Sequence, residues 1–307
     1  MSISLEKLQR LRHQAGQGAT PRRVGIDTAR DAFATADVPP PPPPHDPLPA
    51  LRRMLGLREK ALPRPPLHAR DRALPGQEIA PGVLLLEQVL PFDDVPVHVD
   101  GTFARCDPMP TAGMLLFDTE TTGLSGGTGT RAFMIGASDF VPGGLRVRQL
   151  LITHLSAEPA MLRAFAGWLG EDTRLVSYNG RCYDAPLLAT RYRLARMGTP
   201  LAGIDHLDLL FPTRRRYRGV WENCRLATIE RNALGIVRED DLPGSEAPGA
   251  WLQYLRGGDA GLLRRVLLHN FQDVVTLARL LVHLAEGPPD AGIDTLPGLR
   301  PEKRETD

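Results

Sequence analysis

The clearest pattern of hydrophobic and polar positions in the chain is an apolar run that ends in two carboxylates. Residues 114–117 read Met-Leu-Leu-Phe, and Asp118-Thr119-Glu120 follows them directly. A short, continuous apolar run predicts a buried strand. Side chains two positions apart on a strand point to the same side of the sheet, so Asp118 and Glu120 should project together from the strand's end. Taken alone, the motif is more typical of a strand that ends in a polar turn.

From residue 112 onward, strand patterns and helix patterns alternate. The predicted strands are 114–119, 131–140, 145–152, 174–178 and 204–210, and the predicted helices are 158–169, 185–197, 224–234, 247–256 and 260–285. The first three strands are joined by short connections and should be antiparallel, while right-handed crossovers should make the last two parallel to the first. The expected fold is therefore α/β, with a five-stranded mixed sheet and helices on both faces.

The composition before residue 112 and after residue 286 differs from that of the predicted sheet. Residues 1–72 are predicted to be a disordered leader rich in Pro and Arg, and they contain six consecutive prolines from Pro39 to Pro44. This proline run favours a stiff linker, with a ligand for a protein partner as the alternative. Residues 73–111 are expected to form a small β-rich lead-in before the main domain, 112–286. Residues 287–307 are expected to be a flexible tail.

Composition and charge narrow the classes of protein further. The formal net charge is +1, so the composition predicts no overall attraction to nucleic acid or membrane. The 37 basic residues include only three lysines, Lys7, Lys60 and Lys303, which indicates a compositional bias toward Arg. The three cysteines show no C-x-x-C spacing and suggest neither a zinc site nor a disulfide framework. Because no signal-peptide or membrane-length apolar run is present, we expect a cytoplasmic protein.

Two later segments each place an acidic residue at a predicted helix. Asp184 lies at the start of the helix that follows strand 174–178, where simple helix capping is the alternative explanation. His269 and Asp273 are four positions apart on the otherwise apolar last helix and therefore lie next to each other. An unpaired Asp on that buried face would be unfavourable, so Asp273 should have a metal or a cation as its partner. A buried Asp–His pair is the alternative.

Three motifs in this order resemble those of a known nuclease superfamily. The segment Asp118–Leu124 (Asp-Thr-Glu-Thr-Thr-Gly-Leu) looks like the first motif of DEDD-type 3′→5′ exonucleases in the ribonuclease H-like superfamily. Asn179-Gly180-x-x-Tyr183-Asp184 looks like their second motif, and His269-x-x-x-Asp273 looks like their third. In the best-known subclasses, however, the last Asp is preceded by a His five positions earlier or by a Tyr four positions earlier.

Shorter segments resemble one family within that superfamily, the YprB-like ribonuclease H-like domains. They are His206-Leu207-Asp208-Leu209-Leu210, Gly235-Ile236-x-Arg238, Asp241-Leu242-Pro243-Gly244 and His269-Asn270-x-x-Asp273. The resemblance spans residues 76–284 and implies a 3′→5′ exonuclease.

The resemblance implies a catalytic centre with two divalent ions. Its ligands would be Asp118, Glu120, Asp184 and Asp273, whose oxygen atoms suit Mg²⁺ or Mn²⁺. Two ions about 3.5–4 Å apart activate water and stabilise the leaving oxygen. His269 would orient or deprotonate the attacking water.

Several residues are expected to bind the substrate, DNA or RNA with single-stranded ends. Thr121, Thr122 and Leu124 directly follow the metal-binding strand and would contact the terminal nucleotide. Asn179 would bind the sugar-phosphate or order the second motif. The basic and aromatic segment 211–222 would follow the phosphate backbone and stack on a base. Its candidate residues are Arg214, Arg216 and Trp221.

Alternatives remain for this segment and for the protein. Segment 211–222 could instead be a solvated loop with Trp221 in the core, and Asp208 could be either a further acid near the site or an internal partner of the segment. The competing functions are a catalytically silent nucleic-acid-binding module, a structure-specific endonuclease on the same fold, and an interaction scaffold.

Overall fold

The computed structural model describes residues 70–92, 95–123, 128–238 and 241–287, which lie in the compact unit Pro66–Asp307. Most of the predicted leader 1–72 and all of the tail after Gly287 lie outside the described residues. The proline run and its proposed role as a linker or ligand therefore remain predictions. No helix in the described part of the chain combines the length and the apolar character that crossing a membrane requires.

The core of the fold is a mixed sheet. Its strands are β1 (Gln77–Ala80), β2 (Val83–Leu90), β5 (Met114–Thr121), β6 (Ala132–Val141), β7 (Gly144–Ile152), β8 (Arg174–Ser177) and β9 (His206–Asp208). A separate two-stranded sheet pairs β3 (His98–Val99) with β4 (Met109–Pro110). The main sheet has the order β1-β2-β7-β6-β5-β8-β9. Strands β5, β6 and β7 are antiparallel neighbours, and β8 and β9 continue the sheet in parallel, as predicted.

The expectation of five strands is wrong, because the sheet has seven. Strand β2 pairs with β7 along its whole length, from Val83 opposite Ile152 to Leu90 opposite Leu145, and β1 pairs with β2. The segment 73–111 thus supplies two strands to the main sheet. Periodicity identifies a strand but carries no information about a partner some sixty residues away, so the sequence did not reveal this pairing.

Seven helical segments and three 3₁₀ turns complete the described residues. They are α1 (Glu158–Ala166), α2 (Asp184–Leu194), α3 (Leu210–Tyr217), α4 (Leu226–Ile229), a π-helical segment (Glu230–Leu234), α5 (Ala247–Leu255) and α6 (Gly261–Glu286), with turns at Thr102–Ala104, Leu155–Ala157 and Gly244–Glu246. The segment 211–222 is not a loop over most of its length, because helix α3 covers its residues up to Tyr217. Gly235, at a φ of 65°, ends the helical stretch that begins with α4.

Helices cover both faces of the sheet. Leu116 of β5 pairs with Ser138 of β6, whose hydroxyl donates to the carbonyl of Val274 in α6 at 2.8 Å. The next residue, Phe117, points the other way and packs against Phe165 of α1, with ring centroids 6.0 Å apart. Because side chains alternate along β5, Asp118 and Glu120 lie on the face covered by α6.

Candidate active site

Asp118 is held in place from helix α6. The fully buried amide of Asn270 donates to Oδ2 of Asp118 at 3.0 Å and accepts from Nε2 of Gln149 at 2.9 Å. Asp118 pairs across the sheet with Gly136, which leaves room for this amide because a Cβ there would lie 2.0 Å from Oδ1 of Asn270. The sequence motifs do not identify Asn270 as a site residue. Its position three residues before Asp273, on the same side of α6, is the signal that could have identified it.

Asp184 reaches the site from the first turn of α2. The hydroxyl of Thr119, which lies between the two acidic residues of β5, donates to Oδ1 of Asp184. This bond joins the start of α2 to β5. Asp184 and Thr119 are both buried.

Asp208 organises the loop that precedes Asp184. Its carboxylate accepts from the backbone N–H groups of Asn179 at 2.7 Å, Arg181 at 3.1 Å and Leu210 at 3.0 Å. Asn179 has a φ of 67°, in the left-handed region that Asn tolerates better than most residues. Of the two interpretations left open for Asp208, the contacts favour an internal structural partner, although of this loop rather than of segment 211–222.

Asp273 lies on α6 between a histidine and an arginine. Nε2 of His269 is 3.5 Å from Oδ2 of Asp273, and Nη2 of Arg238 donates to Oδ1. Nδ1 of His269 lies 2.7 Å from Oδ1 of Asp241. The cationic partner expected for Asp273 is therefore present in the protein itself, and neither Arg238 nor Asp241 was predicted as a site residue. Both residues lie in segments for which the sequence offered one signal, the resemblance to the YprB-like family.

The four carboxylates influence one another electrostatically. Burial is the largest cause that raises the pKa of Asp118, and the charges of Asp273, Asp184 and Glu120 raise it further. Burial and the charges of Asp273 and Asp184 likewise raise the pKa of Glu120. Burial also raises the pKa of Asp273, against the opposing effect of Arg238. The structure thus brings together four acids from β5, α2 and α6.

The pKa shifts predict how the stability of metal-free protein depends on pH. Burial raises the pKa of Asp184 to about 6, against the lowering effect of the hydrogen bond from Thr119. A carboxyl with a higher pKa in the folded state stabilises the fold when protonated, and this contribution is lost as the pH rises through the folded pKa. We expect thermal stability in EDTA to fall between pH 4 and pH 6, from about the unfolded pKa to the folded value.

Asp184→Asn provides the test of this expectation. The amide cannot ionise, so the Tm of the variant should fall less than that of the wild type between pH 4 and pH 6. At pH 7 the variant should have the higher Tm when both proteins are measured by thermal denaturation in EDTA. Identical pH profiles for the two proteins would show that the burial of Asp184 has no such consequence.

The predicted substrate contacts at the end of β5 make internal hydrogen bonds. The buried hydroxyl of Thr121 donates to the carbonyl of Gly123 at 2.9 Å and lies 3.2 Å from the hydroxyl of Tyr183. The hydroxyl of Thr122 accepts from the backbone N–H of Arg131 at 3.0 Å. Leu124 lies outside the described residues.

The predicted contacts of segment 211–222 lie near the other end of α6. Arg216 donates to the carbonyl of Leu284 at 3.0 Å, and Trp221 stacks on Tyr217 with ring centroids 4.5 Å apart. The Tyr217 hydroxyl lies 2.6 Å from Nε2 of His283. His283 is ten residues beyond Asp273, a rise of about 15 Å along a helix. The structure therefore does not bring Arg216 and Trp221 to the carboxylates, and Arg214 is exposed on α3.

The chemistry of the donor set suits hard divalent cations. Asp118, Glu120, Asp184 and Asp273 offer only oxygen atoms, which Mg²⁺ and Mn²⁺ prefer. Within the ranges that the structure describes, no three acidic, histidine or cysteine side chains are already arranged as a metal-binding cluster. Protein donors instead occupy oxygens of three of these carboxylates: Asn270 binds Asp118, Thr119 binds Asp184 and Arg238 binds Asp273. Burying this much negative charge is unfavourable without further cations.

Comparison with known proteins agrees with this fold and with these motifs. A family profile of the RNase_H superfamily matches residues 115–285, which include all four carboxylates. The uncharacterized protein YprB of Bacillus subtilis (strain 168) is 36% identical over 174 residues, which are 56% of this chain and 42% of that protein. The chain thus aligns with less than half of the length of this relative.

Among solved structures, the family B DNA polymerase of the hyperthermophilic archaeon Pyrobaculum calidifontis aligns with a TM-score of 0.40 and 16% sequence identity. The alignment covers 57% of this chain and 27% of the polymerase chain. The profile match and the similarity to YprB confirm the resemblance inferred from the motifs. The chain belongs to the RNase_H superfamily, among its YprB-like ribonuclease H-like domains.

Proposed function

We propose that this chain is a metal-dependent nuclease, a 3′→5′ exonuclease that hydrolyses phosphodiester bonds in DNA or RNA. The observation that carries the proposal is that acids from three elements act on one another: the charges of Asp184 on α2 and Asp273 on α6 raise the pKa of both Asp118 and Glu120 on β5. Membership of the RNase_H superfamily supports a nuclease in general terms. The 3′→5′ polarity rests on the resemblance of the three motifs to DEDD-type exonucleases.

The four carboxylates would hold two divalent ions, Mg²⁺ or Mn²⁺. Such ions, when bound, activate water and neutralise the charge that develops on the leaving oxygen. Asn270 would keep the Asp118 carboxylate in one orientation, because its amide is itself fixed by Gln149. Such partners of a ligand commonly affect metal affinity or activity 10- to 100-fold.

His269 would take the proton from the attacking water. Its Nδ1 faces both Oδ1 of Asp241 at 2.7 Å and Nη1 of Arg238 at 3.1 Å. We assign the proton on Nδ1 to the shorter contact, so that Nδ1–H donates to Asp241. That tautomer leaves a lone pair on Nε2, the nitrogen near Asp273, where it can accept a proton.

The substrate would reach this centre past the ends of β5 and β8. Thr121, Thr122 and Leu124, which follow Glu120 in the sequence, remain the proposed contacts to the terminal nucleotide. Asn179, in the segment before Asp184, remains the proposed contact to the sugar-phosphate. In segment 211–222, Arg214 is the proposed contact to the phosphate backbone. Arg216 and Trp221 would have to leave their partners on α6 and α3 to act in the same way.

One assay tests substrate, direction and mode together. Purified protein with Mn²⁺ is incubated with 5′-labelled single- and double-stranded DNA and RNA, and the products are resolved on a sequencing gel. A 3′→5′ exonuclease produces a ladder that shortens with time and leaves 3′-blocked and circular substrates intact. Cleavage of circular substrates would indicate an endonuclease, and binding without cleavage would indicate a silent binding module. Either result contradicts the proposed activity.

A further inference from the structure

Arg238 is anchored on one side by a buried glutamate. Its Nε and Nη2 donate to the two carboxylate oxygens of Glu230 at 2.6 and 2.8 Å. Glu230 is 1% exposed and also accepts a hydrogen bond from the hydroxyl of Thr276 on α6. This two-pronged pairing of a guanidinium with a carboxylate is strong and geometrically specific. Arg238 is therefore held at the edge of the site by residues that are not among the proposed metal ligands.

The other side of the same guanidinium faces Asp273, a proposed metal ligand, and Asp241. Nη2 donates to Oδ1 of Asp273, and Nη1 lies 3.4 Å from Oδ2 of Asp241. The Arg238 side chain is only 11% exposed, so water screens its charge poorly. The positive charge of Arg238 opposes the rise in the pKa of both Asp273 and Glu120. In this structure Arg238 thus supplies the positive charge that Asp273 requires.

We propose that Arg238 is a built-in counter-ion that competes with a divalent cation for Asp273 and so sets the cation concentration at which the site fills. The proposal rests on the proposed function, in which Asp273 is a metal ligand. A guanidinium and a divalent ion on one carboxylate repel each other strongly in a poorly solvated site. The bonds from Arg238 to Glu230 do not involve Asp273, so the arginine keeps a buried partner when the cation displaces it.

The test is to substitute Arg238→Gln and titrate the metal-free protein with Mn²⁺ by calorimetry. Removing the competing charge should tighten Mn²⁺ binding by at least about fivefold, the lower end of typical coupling between two sites. Without Mn²⁺ the variant should have a lower Tm, because Asp273 and Glu230 lose their counter-ion. The rise in Tm caused by saturating Mn²⁺ should be larger than in the wild type.

Arg191→Gln is the matched control. Arg191 donates to both oxygens of the buried Glu158 at 2.6 and 2.6 Å, so it makes the same kind of pair as Arg238 and Glu230. No described hydrogen bond joins Arg191 to a proposed metal ligand; its third bond, at 2.9 Å, goes to the carbonyl of Thr128. This variant should lower the Tm while leaving the Mn²⁺ affinity within about twofold of the wild type, the scatter expected for independent sites.

A double variant keeps the test decisive if Arg238→Gln alone does not fold. Glu230→Gln with Arg238→Gln replaces the buried ion pair by two amides and leaves no unpaired buried carboxylate at position 230. It should also bind Mn²⁺ more tightly than the wild type. If the folded variant binds Mn²⁺ as tightly as the wild type or more weakly, Arg238 does not compete with the cation. The proposed function would still hold in that case, provided that the wild type binds Mn²⁺ and cleaves nucleic acid. A wild type that binds no Mn²⁺ would overturn both.

Discussion

Replacing Asp118 by Asn should abolish the Mn²⁺-dependent nuclease activity, with a loss of about 1,000-fold or more. The substitution keeps the shape of the side chain and an oxygen that can still accept from Asn270, but it removes the negative charge of a central proposed ligand. Metal ions contribute several kcal/mol of transition-state stabilisation, and each factor of ten in rate corresponds to about 1.4 kcal/mol. The measurement is the initial rate of release of labelled nucleotide at saturating Mn²⁺.

This loss should not arise from unfolding. Burial raises the pKa of Asp118 well above its usual range, so the charged carboxylate is unfavourable in the metal-free fold and a neutral amide should be tolerated. Asp205→Asn is the matched control, because this acid precedes β9 and makes an exposed bond to Arg174 at 3.0 Å. The control should retain the wild-type rate. Wild-type activity in Asp118→Asn protein would disprove the proposed metal centre.

Replacing Gly136 by Ala should destabilise the fold by about 2–4 kcal/mol and reduce activity along with it. A Cβ at this position would meet three atoms of the Asn270 amide, the nearest, Oδ1, at 2.0 Å. Because Asn270 is buried and bonded to both Asp118 and Gln149, it cannot move without leaving polar groups unpaired. Overpacking a core costs about 1–3 kcal/mol, and stranding a buried polar group costs about as much again. Urea denaturation monitored by circular dichroism measures the loss.

Gly249→Ala is the corresponding control. Gly249 lies in helix α5, and a Cβ there would meet no atom within 4 Å. Alanine favours a helix over glycine by up to about 1 kcal/mol, so this variant should be as stable as the wild type or slightly more stable. If Gly136→Ala had the same small effect as Gly249→Ala, the close packing of Asn270 against β6 would not matter to the fold or to the position of Asp118.

Local sequence patterns were sufficient to place the acidic residues on their elements. The period of two along β5 puts Asp118 and Glu120 on one face, and the spacing of four along α6 puts His269 beside Asp273. Both relations follow from backbone geometry within a single element, which is why they can be inferred without the fold. The mixed order of antiparallel and parallel strands was also predictable, because the length and type of each connection restrict the direction of the next strand.

Contacts between distant parts of the chain were not predictable in this way. Gln149 and Asn270 are 121 residues apart, and together they orient Asp118. The segment 211–222 had a composition typical of a nucleic-acid contact, yet Arg216 and Trp221 pack internally at the end of α6 and on α3. Composition describes what a segment can bind, whereas the packing of its neighbours decides which of those contacts it makes.

By itself, the sequence determined the family and the mixed order of the strands, and it placed the four candidate acids on their elements. Each of these depends on a motif of adjacent residues, on the spacing within one element, or on the connection between successive elements. Only the tertiary structure decided that β1 and β2 extend the sheet to seven strands and that Arg238, 35 residues before Asp273, supplies the charge this acid needs. A buried carboxylate requires a partner, but the partner's identity depends on which distant side chain the packed fold brings within hydrogen-bonding distance.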